Sequence, residues 1–187
     1  GIAAGAFFSA EVFVPLALVE LRGTSLTVAG LVLAVSGASW MLGSYTQSRL
    51  GGSRDRSRLV ALGCLIVATG IATIPLVVLL PVPVWVAAAS WWVASYGMGL
   101  VVPAVAVQTM RLSPDADQGR NSSALQLVDA EMVVVATALL GIIHAAAVRA
   151  GGTTPMTYSV IWWLAALVAI AGVIAAPRMR PIGASAQ

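Results

Sequence analysis

The sequence predicts an all-α fold, a polytopic membrane protein with six transmembrane helices. Apolar residues make up 59% of the chain and charged residues 9%, whereas soluble domains have roughly 45–50% and 25%. Charged residues are absent from three long runs, residues 23–48, 59–110 and 150–177. A soluble domain needs a polar surface, and uncharged apolar runs of this length are typical of membrane spans.

Six spans follow from these runs, each near the length of about 20 residues that crosses the hydrocarbon core. The chain opens with Gly1 and has no basic leader of a signal peptide, so we expect a fragment cut near the start of a helix. The longest run holds two spans, divided by a turn at Pro81-Val82-Pro83. Ser123 and Gln126 form a predicted capping box that opens the fifth span. The predicted spans are residues 1–19, 26–46, 59–80, 84–107, 124–148 and 156–176, in one domain of residues 1–187.

The arginines predict the orientation of these spans. Assigning alternate loops to opposite sides leaves only Arg22 and Arg149 on one side and eight arginines on the other. Since basic loops stay in the cytoplasm, the arginine-rich side is predicted to be cytoplasmic, with loops at about 47–58 and 108–123, a tail at 177–187 and both ends of this chain. The eight are Arg49, Arg54, Arg56, Arg58, Arg111, Arg120, Arg178 and Arg180.

Several classes of function are excluded by what the chain lacks. Its ten basic residues are all Arg, sit in short loops and form no continuous basic face, which argues against nucleic-acid binding. Cys64 and His144 are the only cysteine and histidine, so disulfides, zinc sets and bis-histidine haem are unavailable. No HExxH, GxSxG or GxxxxGK[ST] motif occurs, so we predict no enzyme, metal or cofactor. His144 is predicted to pack at a helix end.

Glu11 is the most informative single residue, because it lies about eight residues inside the first span. An ionised carboxylate at the centre of a membrane costs about 2.5 kcal/mol or more, so its side chain should face a cavity or a partner. Pro15 cannot donate to the carbonyl of Glu11, which breaks the helix at the same place. We predict a proton-coupling role for Glu11. A structural acid bonded to a neighbouring helix is the alternative.

Gln126 and Asp129 share one face of the fifth helix, whereas Glu131 is turned about 200° from Asp129. We predict that Asp129 faces a cavity together with Gln126. Their position near the cytoplasmic end leaves open a second interpretation, in which water or arginine solvates them. The role of Glu131 stays open.

The fourth helix offers a third group of candidates. Trp91, Trp92 and Gln108 can line an amphipathic cavity by stacking and hydrogen bonding. Adjacent tryptophans point in different directions, so we expect at most one of the two to do so. Pro103 frees the carbonyl of Gly99 and gives this helix the same kind of break as the first.

Five segments resemble the bacterial major facilitator superfamily of transporters. They are residues 6–16 (AFFSAEVFVPL), 28–34 (VAGLVLA), 43–49 (GSYTQSR), 112–114 (LSP) and 118–129 (QGRNSSALQLVD). The resemblance extends over essentially the whole chain and is strongest to actinobacterial drug-efflux members. It implies a twelve-helix fold whose two six-helix halves rock about a central cavity, with this chain as helices seven to twelve, the C-terminal half.

The resemblance also implies roles for particular residues. Glu11 would lie on a cavity-lining helix and serve proton coupling, and Gln126 with Asp129 would contribute to the cavity or its inner gate. Residues 43–58 correspond to the second copy of the cytoplasmic signature, although Gln47 stands where the signature usually has an acid. That departure leaves open a role in orientation alone. The gating candidates in this segment are Gly43, Arg49, Arg54, Asp55 and Arg56.

Together these features predict a secondary active transporter of the bacterial plasma membrane, an antiporter for multidrug efflux that exports small amphipathic molecules by proton-coupled alternating access. Its partners would be the lipid bilayer, a missing N-terminal six-helix half or a second copy, a small-molecule substrate and protons, but no nucleic acid. Two alternatives stay open. One is a proton-independent metabolite transporter or uniporter, and the other is a non-transporting scaffold or assembly subunit.

Overall fold

Six membrane-length helical spans, as predicted, make up the computed structural model, which describes residues 1–50 and 56–179. No strand occurs within those two ranges. Two of the spans are each built from two helices, with breaks at Val35 and at Pro75, which has no N–H to donate. The helices are α1 Ile2–Arg22, α2 Leu26–Ala34, α3 Ser36–Leu50, α4 Arg56–Thr73, α5 Leu76–Leu79, α6 Trp85–Leu112, α7 Gln118–Arg149 and α8 Pro155–Ala175.

Helix ends differ most from prediction where polar residues continue a helix beyond its apolar part. The loop predicted at 108–123 is mostly helical, because α6 runs to Leu112 and α7 already begins at Gln118. Asn121 Nδ2 donates to Ser113 Oγ at 2.7 Å and fixes the short connection. Hydropathy marks where a helix leaves the hydrocarbon and not where its backbone hydrogen bonds end, so the predicted loop was too long.

The predicted capping box at Ser123 and Gln126 is wrong, since both residues lie inside α7. A capping box does open α8. The Thr154 hydroxyl accepts from the Thr157 amide at 3.1 Å, and the Thr157 hydroxyl accepts from the Thr154 amide at 3.2 Å. Pro155 at the first helical position strengthens this start, because its missing N–H would have had no partner there.

Helix α6 is packed between α3 and α4 through glycines. A Cβ added to Gly99 would lie 2.3 Å from the Trp40 carbonyl oxygen, and one added to Gly97 would lie 2.6 Å from the Gly63 carbonyl oxygen. Gly43 faces Gly99 from the α3 side. Helix association in membranes depends on such close backbone approach, because lipid leaves little hydrophobic driving force between helices. Gly43 therefore belongs to a helix contact and not to the loop where its gating role was predicted.

Burial is very uneven among the six spans. In an apolar stretch of 18 residues within α1, 61% of the residues are buried. The corresponding stretch has 6% of its residues buried in the span that contains α7 and 22% in the span formed by α2 and α3. Helix α1 packs against α7 and α8, and a Cβ on Gly5 would lie 3.0 Å from the Met132 carbonyl oxygen of α7. The bundle thus has a dense part around α1, α4, α6 and α8, and two sparsely packed spans.

Candidate functional site

A cavity of about 280 Å³ opens where α1, α6 and α7 meet, toward the end of the bundle that contains Leu112. We call this end the Leu112 end, and the opposite one the Arg149 end. The walls of the cavity are mostly aliphatic and carry two methionines, Met98 and Met110. Gln126 and Asp129 from α7 supply an amide and a carboxylate to the same lining. An apolar site with a few convergent polar groups is the usual form of a small-molecule site.

Asp129 is the acid that lies in this cavity. The Gly1 nitrogen is 2.7 Å from its Oδ1 atom, and its side chain is 39% exposed. Asp129 also borders an adjoining open groove of about 450 Å³, which Phe8 and Trp40 line as well. Glu131 is exposed and lines neither space. The structure thus separates the two acids as the helical spacing predicts, while the role of Asp129 in binding stays a prediction.

Glu11 is half-buried on α1 and makes no hydrogen bond or ion pair with any residue in the described ranges. It lines neither the cavity nor the groove. Seven residues separate it from Ala4, which lines both, so the two lie within about 20° of one helix face and about 10 Å apart along the axis. Glu11 therefore has no hydrogen-bonding partner among the described residues. It lies on the face of α1 that carries Ala4, displaced from the cavity toward the Arg149 end. Pro15 lies inside α1, as predicted.

The two tryptophans of α6 divide between core and surface. Trp91 is fully buried and stacks on Phe7, with 4.5 Å between the ring centroids, and its indole nitrogen has no hydrogen-bond partner among the described residues. Trp92 is 39% exposed. Trp91 is thus a core residue and not part of a cavity lining, because the helix turns its ring toward α1.

Gln108 lies apart from Gln126 and Asp129. Its Nε2 donates to the Met179 carbonyl at 3.1 Å, and it lines a separate cavity of about 340 Å³ next to the end of α8. Pro103 is inside α6, as predicted, four residues beyond the tightly packed Gly99. The three predicted polar candidates therefore occupy two neighbouring cavities and not one site.

The predicted gating segment is only partly within the described residues, since Arg54 and Asp55 lie outside them. Arg49 is in the last turn of α3, where its Nη2 donates to the Tyr45 hydroxyl at 2.7 Å. Arg56 begins α4 and is half-buried. Of this segment, Gly43 has the clearest structural function, which is the helix contact with α6 described above.

A second polar cluster joins three helices at the Arg149 end, and sequence reasoning did not find it. The Glu20 Oε2 atom accepts from the Tyr158 hydroxyl at 2.6 Å and from the Thr153 hydroxyl at 2.7 Å. The His144 Nε2 atom lies 3.2 Å from the same Tyr158 hydroxyl. The participants are up to 138 residues apart in sequence, so no spacing pattern connects them. The placement of Glu20, Tyr158 and His144 near the same ends of their helices was the only available signal.

Fold and site together define a multi-pass, all-helical membrane protein with an apolar cavity between its helices. The chain belongs to the Major Facilitator Superfamily, whose family model matches residues 1–137. Its structure is similar to the inward-open conformation of the xylose transporter XylE from E. coli, with a TM-score of 0.61 and 16% sequence identity. The alignment covers 97% of this chain and 45% of that protein, so this chain spans less than half the length of its structural relative. No curated protein matches this chain.

Proposed function

We propose that this chain is the C-terminal six-helix half of a secondary transporter, not an enzyme, that exports small amphipathic molecules by proton-coupled alternating access. The observation that carries the proposal is the cavity between α1, α6 and α7, which combines apolar walls with Gln126 and Asp129. An amphipathic molecule matches such walls, since its apolar body contacts the aliphatic side chains and its polar group pairs with the acid or the amide. Membership of the family supports transport as the activity.

The proposal includes a second six-helix body, either an N-terminal half or a second copy of this chain. The two sparsely packed spans expose large apolar side chains, among them Met41 at 71% and Val134 at 67%. The structural relative is more than twice as long as the aligned region. A second body seated on these spans would close the open side of the cavity, and the lipid bilayer would surround the remaining faces.

Glu11 is the proposed proton-coupling residue. It is free of hydrogen-bond partners in the described ranges and lies above the cavity on the face of α1 that carries Ala4. A carboxyl group without a fixed partner can bind and release a proton as its access to water alternates between the two sides. The missing N–H of Pro15 leaves the Glu11 carbonyl without its helical donor, which allows α1 to bend at this point.

The proposed setting is a bacterial plasma membrane, with both ends of this chain in the cytoplasm. The distribution of arginines supports this orientation through the preference of basic loops for the cytoplasmic side. Efflux of drug-like compounds is proposed from the resemblance of residues 6–16 and 118–129 to drug-efflux members of the family.

Transport by the full-length protein in liposomes tests this function. We expect Glu11→Gln to abolish substrate transport driven by a proton gradient, because the amide keeps the shape of the side chain but cannot exchange a proton. Membrane insertion should be unchanged. Glu131→Gln is the matched control, because Glu131 is exposed and lies outside the cavity. Undiminished gradient-driven transport in Glu11→Gln removes Glu11 from the mechanism.

Proton flux recorded in the same liposomes separates the alternatives. Substrate-induced proton movement in the unmodified protein supports antiport. Substrate movement without proton movement identifies a uniporter or a metabolite transporter in which the acids only bind substrate. No substrate movement in any condition favours the scaffold alternative, against which the cavity of about 280 Å³ already argues.

A further inference from the structure

The cluster of Glu20, Tyr158 and His144 has no part in the transport cycle proposed above, yet it joins α1, α8 and α7 through a single hydroxyl group. Tyr158 is fully buried, and its ring lies 5.7 Å from the His144 ring and 5.8 Å from the Trp162 ring. Glu20 is exposed, so water reaches the carboxylate from the Arg149 end. Tyr158, at the centre of the cluster, is therefore shielded from solvent, whereas the Glu20 carboxylate can exchange protons with water.

The hydrogen atoms of this cluster can be assigned from donor and acceptor capacity. A phenol has one hydrogen to donate, and the Tyr158 hydroxyl donates it to Glu20 Oε2 at 2.6 Å. The contact of 3.2 Å with His144 Nε2 can then be a hydrogen bond only if His144 donates. Imidazolium always donates from Nε2, whereas neutral imidazole does so in only one of its two tautomers. A proton on His144 thus secures the link and places a positive charge across the hydroxyl from the Glu20 carboxylate.

Helix α7 depends on this link more than its neighbours do. Leu140 is the one buried residue of α7, whereas α1 and α8 bury 11 and 8 residues. In the described structure, His144 makes the only side-chain hydrogen bond from the stretch of α7 after Asp129 to another helix. Removing that bond would leave the Arg149 end of α7 held against α1 and α8 by apolar packing alone, chiefly through Leu140 and Ile143.

We propose that Glu20, Tyr158 and His144 form a proton-dependent tether that positions the Arg149 end of α7. Protonation of His144 strengthens the contact that holds α7 against α1 and α8, and loss of that proton weakens it. Because α7 also carries Gln126 and Asp129, the tether would couple external pH to the geometry of the cavity. Only this consequence for transport rests on the proposed function. The tether itself is a property of the three helices.

The other charged groups near the cluster do not replace His144. Arg22 of α1 is engaged with the carbonyl oxygens of Val77, Leu80 and Val82, at 2.9, 3.1 and 2.7 Å. Arg149, in the last turn of α7, is exposed. The half of α6 that lies toward this end, residues 85–95, has no ionisable side chain, and Tyr158 is the only one in α8. Among the described residues, His144 is therefore the one basic group in contact with the Tyr158 hydroxyl.

A spin label on α7 tests the tether without substrate or gradient, so the outcome is independent of transport. The label is attached at Val148→Cys, which is exposed in the last turn of α7, in a Cys64→Ala background of the full-length protein in liposomes. We expect the ratio of mobile to immobile label to rise about fivefold, or about 1 kcal/mol, from about pH 5.5 to about pH 8.5, since a charge-assisted hydrogen bond is replaced by a neutral one.

Two variants identify the tether as the source of that change. Tyr158→Phe removes only the hydroxyl, and His144→Phe keeps an aromatic ring but no donor, so both should give a mobile label at either pH. Tyr96→Phe is the matched control, because its hydroxyl bonds Thr46 at 3.0 Å and lies outside the cluster, and it should keep the pH response. If Tyr158→Phe does not fold, His144→Phe decides alone. A label that is equally mobile at both pH values in the unmodified protein, or a pH response that persists in His144→Phe, overturns the proposal.

Discussion

Helices α6 and α7 are both long and apolar, yet they are held in opposite ways. Helix α6 has 28 residues, buries 11 of them and approaches α3 and α4 through glycines. Helix α7 has 32 residues and buries one. The glycines of α6 lie against neighbouring backbones, whereas a Cβ added to Gly141 of α7 would meet no atom of another helix within 4 Å. Small residues of α6 therefore fix that helix on two sides, whereas the close contact of α7 with α1 depends on Gly5 of α1 and on no glycine of α7 itself.

This difference indicates which helix of the bundle can move at small energetic cost. A helix locked by backbone contacts cannot shift without losing many of them, because close-packed interiors have few intermediate arrangements. A helix held by a few polar contacts can move at small cost. Gln126 and Asp129 lie on the loosely held α7 and face the tightly held α6 across the cavity. The cavity thus has one rigid wall and one wall that can adjust.

The largest effect should come from filling a glycine contact of α6. In Gly99→Val the new Cβ would lie 2.3 Å from a backbone oxygen of α3, and a backbone atom cannot rotate away, so the helices must separate. We expect a loss of at least about 3 kcal/mol of stability, at the upper end for overpacking, and a loss of the monodisperse peak in size-exclusion chromatography in detergent. Gly141→Val, the control on α7, should behave like the unmodified protein. Equal behaviour of the two variants would break the contrast between the helices.

A smaller effect should follow from removing the ring of Trp91, which fills the contact between α6 and α1. Trp91→Ala leaves a void beside Phe7, and such truncations cost about 3–5 kcal/mol in soluble cores. Lipid is itself apolar, which reduces the transfer part of that cost, so we expect about 3 kcal/mol or less, measured by thermal unfolding in detergent. Trp92→Ala removes a ring that is 39% exposed and should change the unfolding temperature little. A larger loss for Trp92→Ala would show that the two rings exchange roles in the membrane.

The number and order of the spans were predictable because exclusion of charge from lipid is a local property of the sequence. The turn around Pro81 lies within an uncharged run and was predictable from its two prolines. Accordingly, α5 ends at Leu79 and α6 begins at Trp85. Helix ends at Leu50, Leu112 and Gln118 were not, because polar residues form helix as readily outside the hydrocarbon as apolar ones do inside it. The family was also predicted correctly from short segments.

The candidate site was predictable only within single helices. Periodicity separates Asp129 from Glu131, since both lie on one helix and their angular difference is fixed. Periodicity does not give the rotation of a helix about its axis, so it could not assign Trp91 to the core and Trp92 to the surface. The Glu20 cluster was beyond reach for a related reason. Its three helices meet only in the folded bundle, and Tyr158 and Glu20 are 138 residues apart.

The smallest of the three effects should appear at Asp129, and it concerns binding and not stability. Asp129→Asn keeps the size and shape of the side chain and an oxygen that can accept a hydrogen bond, so the packing of α1 on α7 should survive. The variant removes the negative charge from the cavity. We expect affinity for a cationic amphipathic substrate to fall about tenfold, or about 1.4 kcal/mol, and affinity for a neutral substrate of similar size to change less.

Competition binding with a matched pair of cationic and neutral compounds on the full-length protein measures this difference, and Glu131→Gln serves as the control on the same helix. A loss of affinity that is equal for both compounds would mean that Asp129 holds α7 in place and does not contact substrate. In that case the loosely held wall of the cavity would owe its position to two acids, Asp129 near one end and Glu20 near the other. A loss of affinity for the cationic compound alone would instead give the two acids different roles. Asp129 would contact the substrate, and Glu20 would position the helix that carries Asp129.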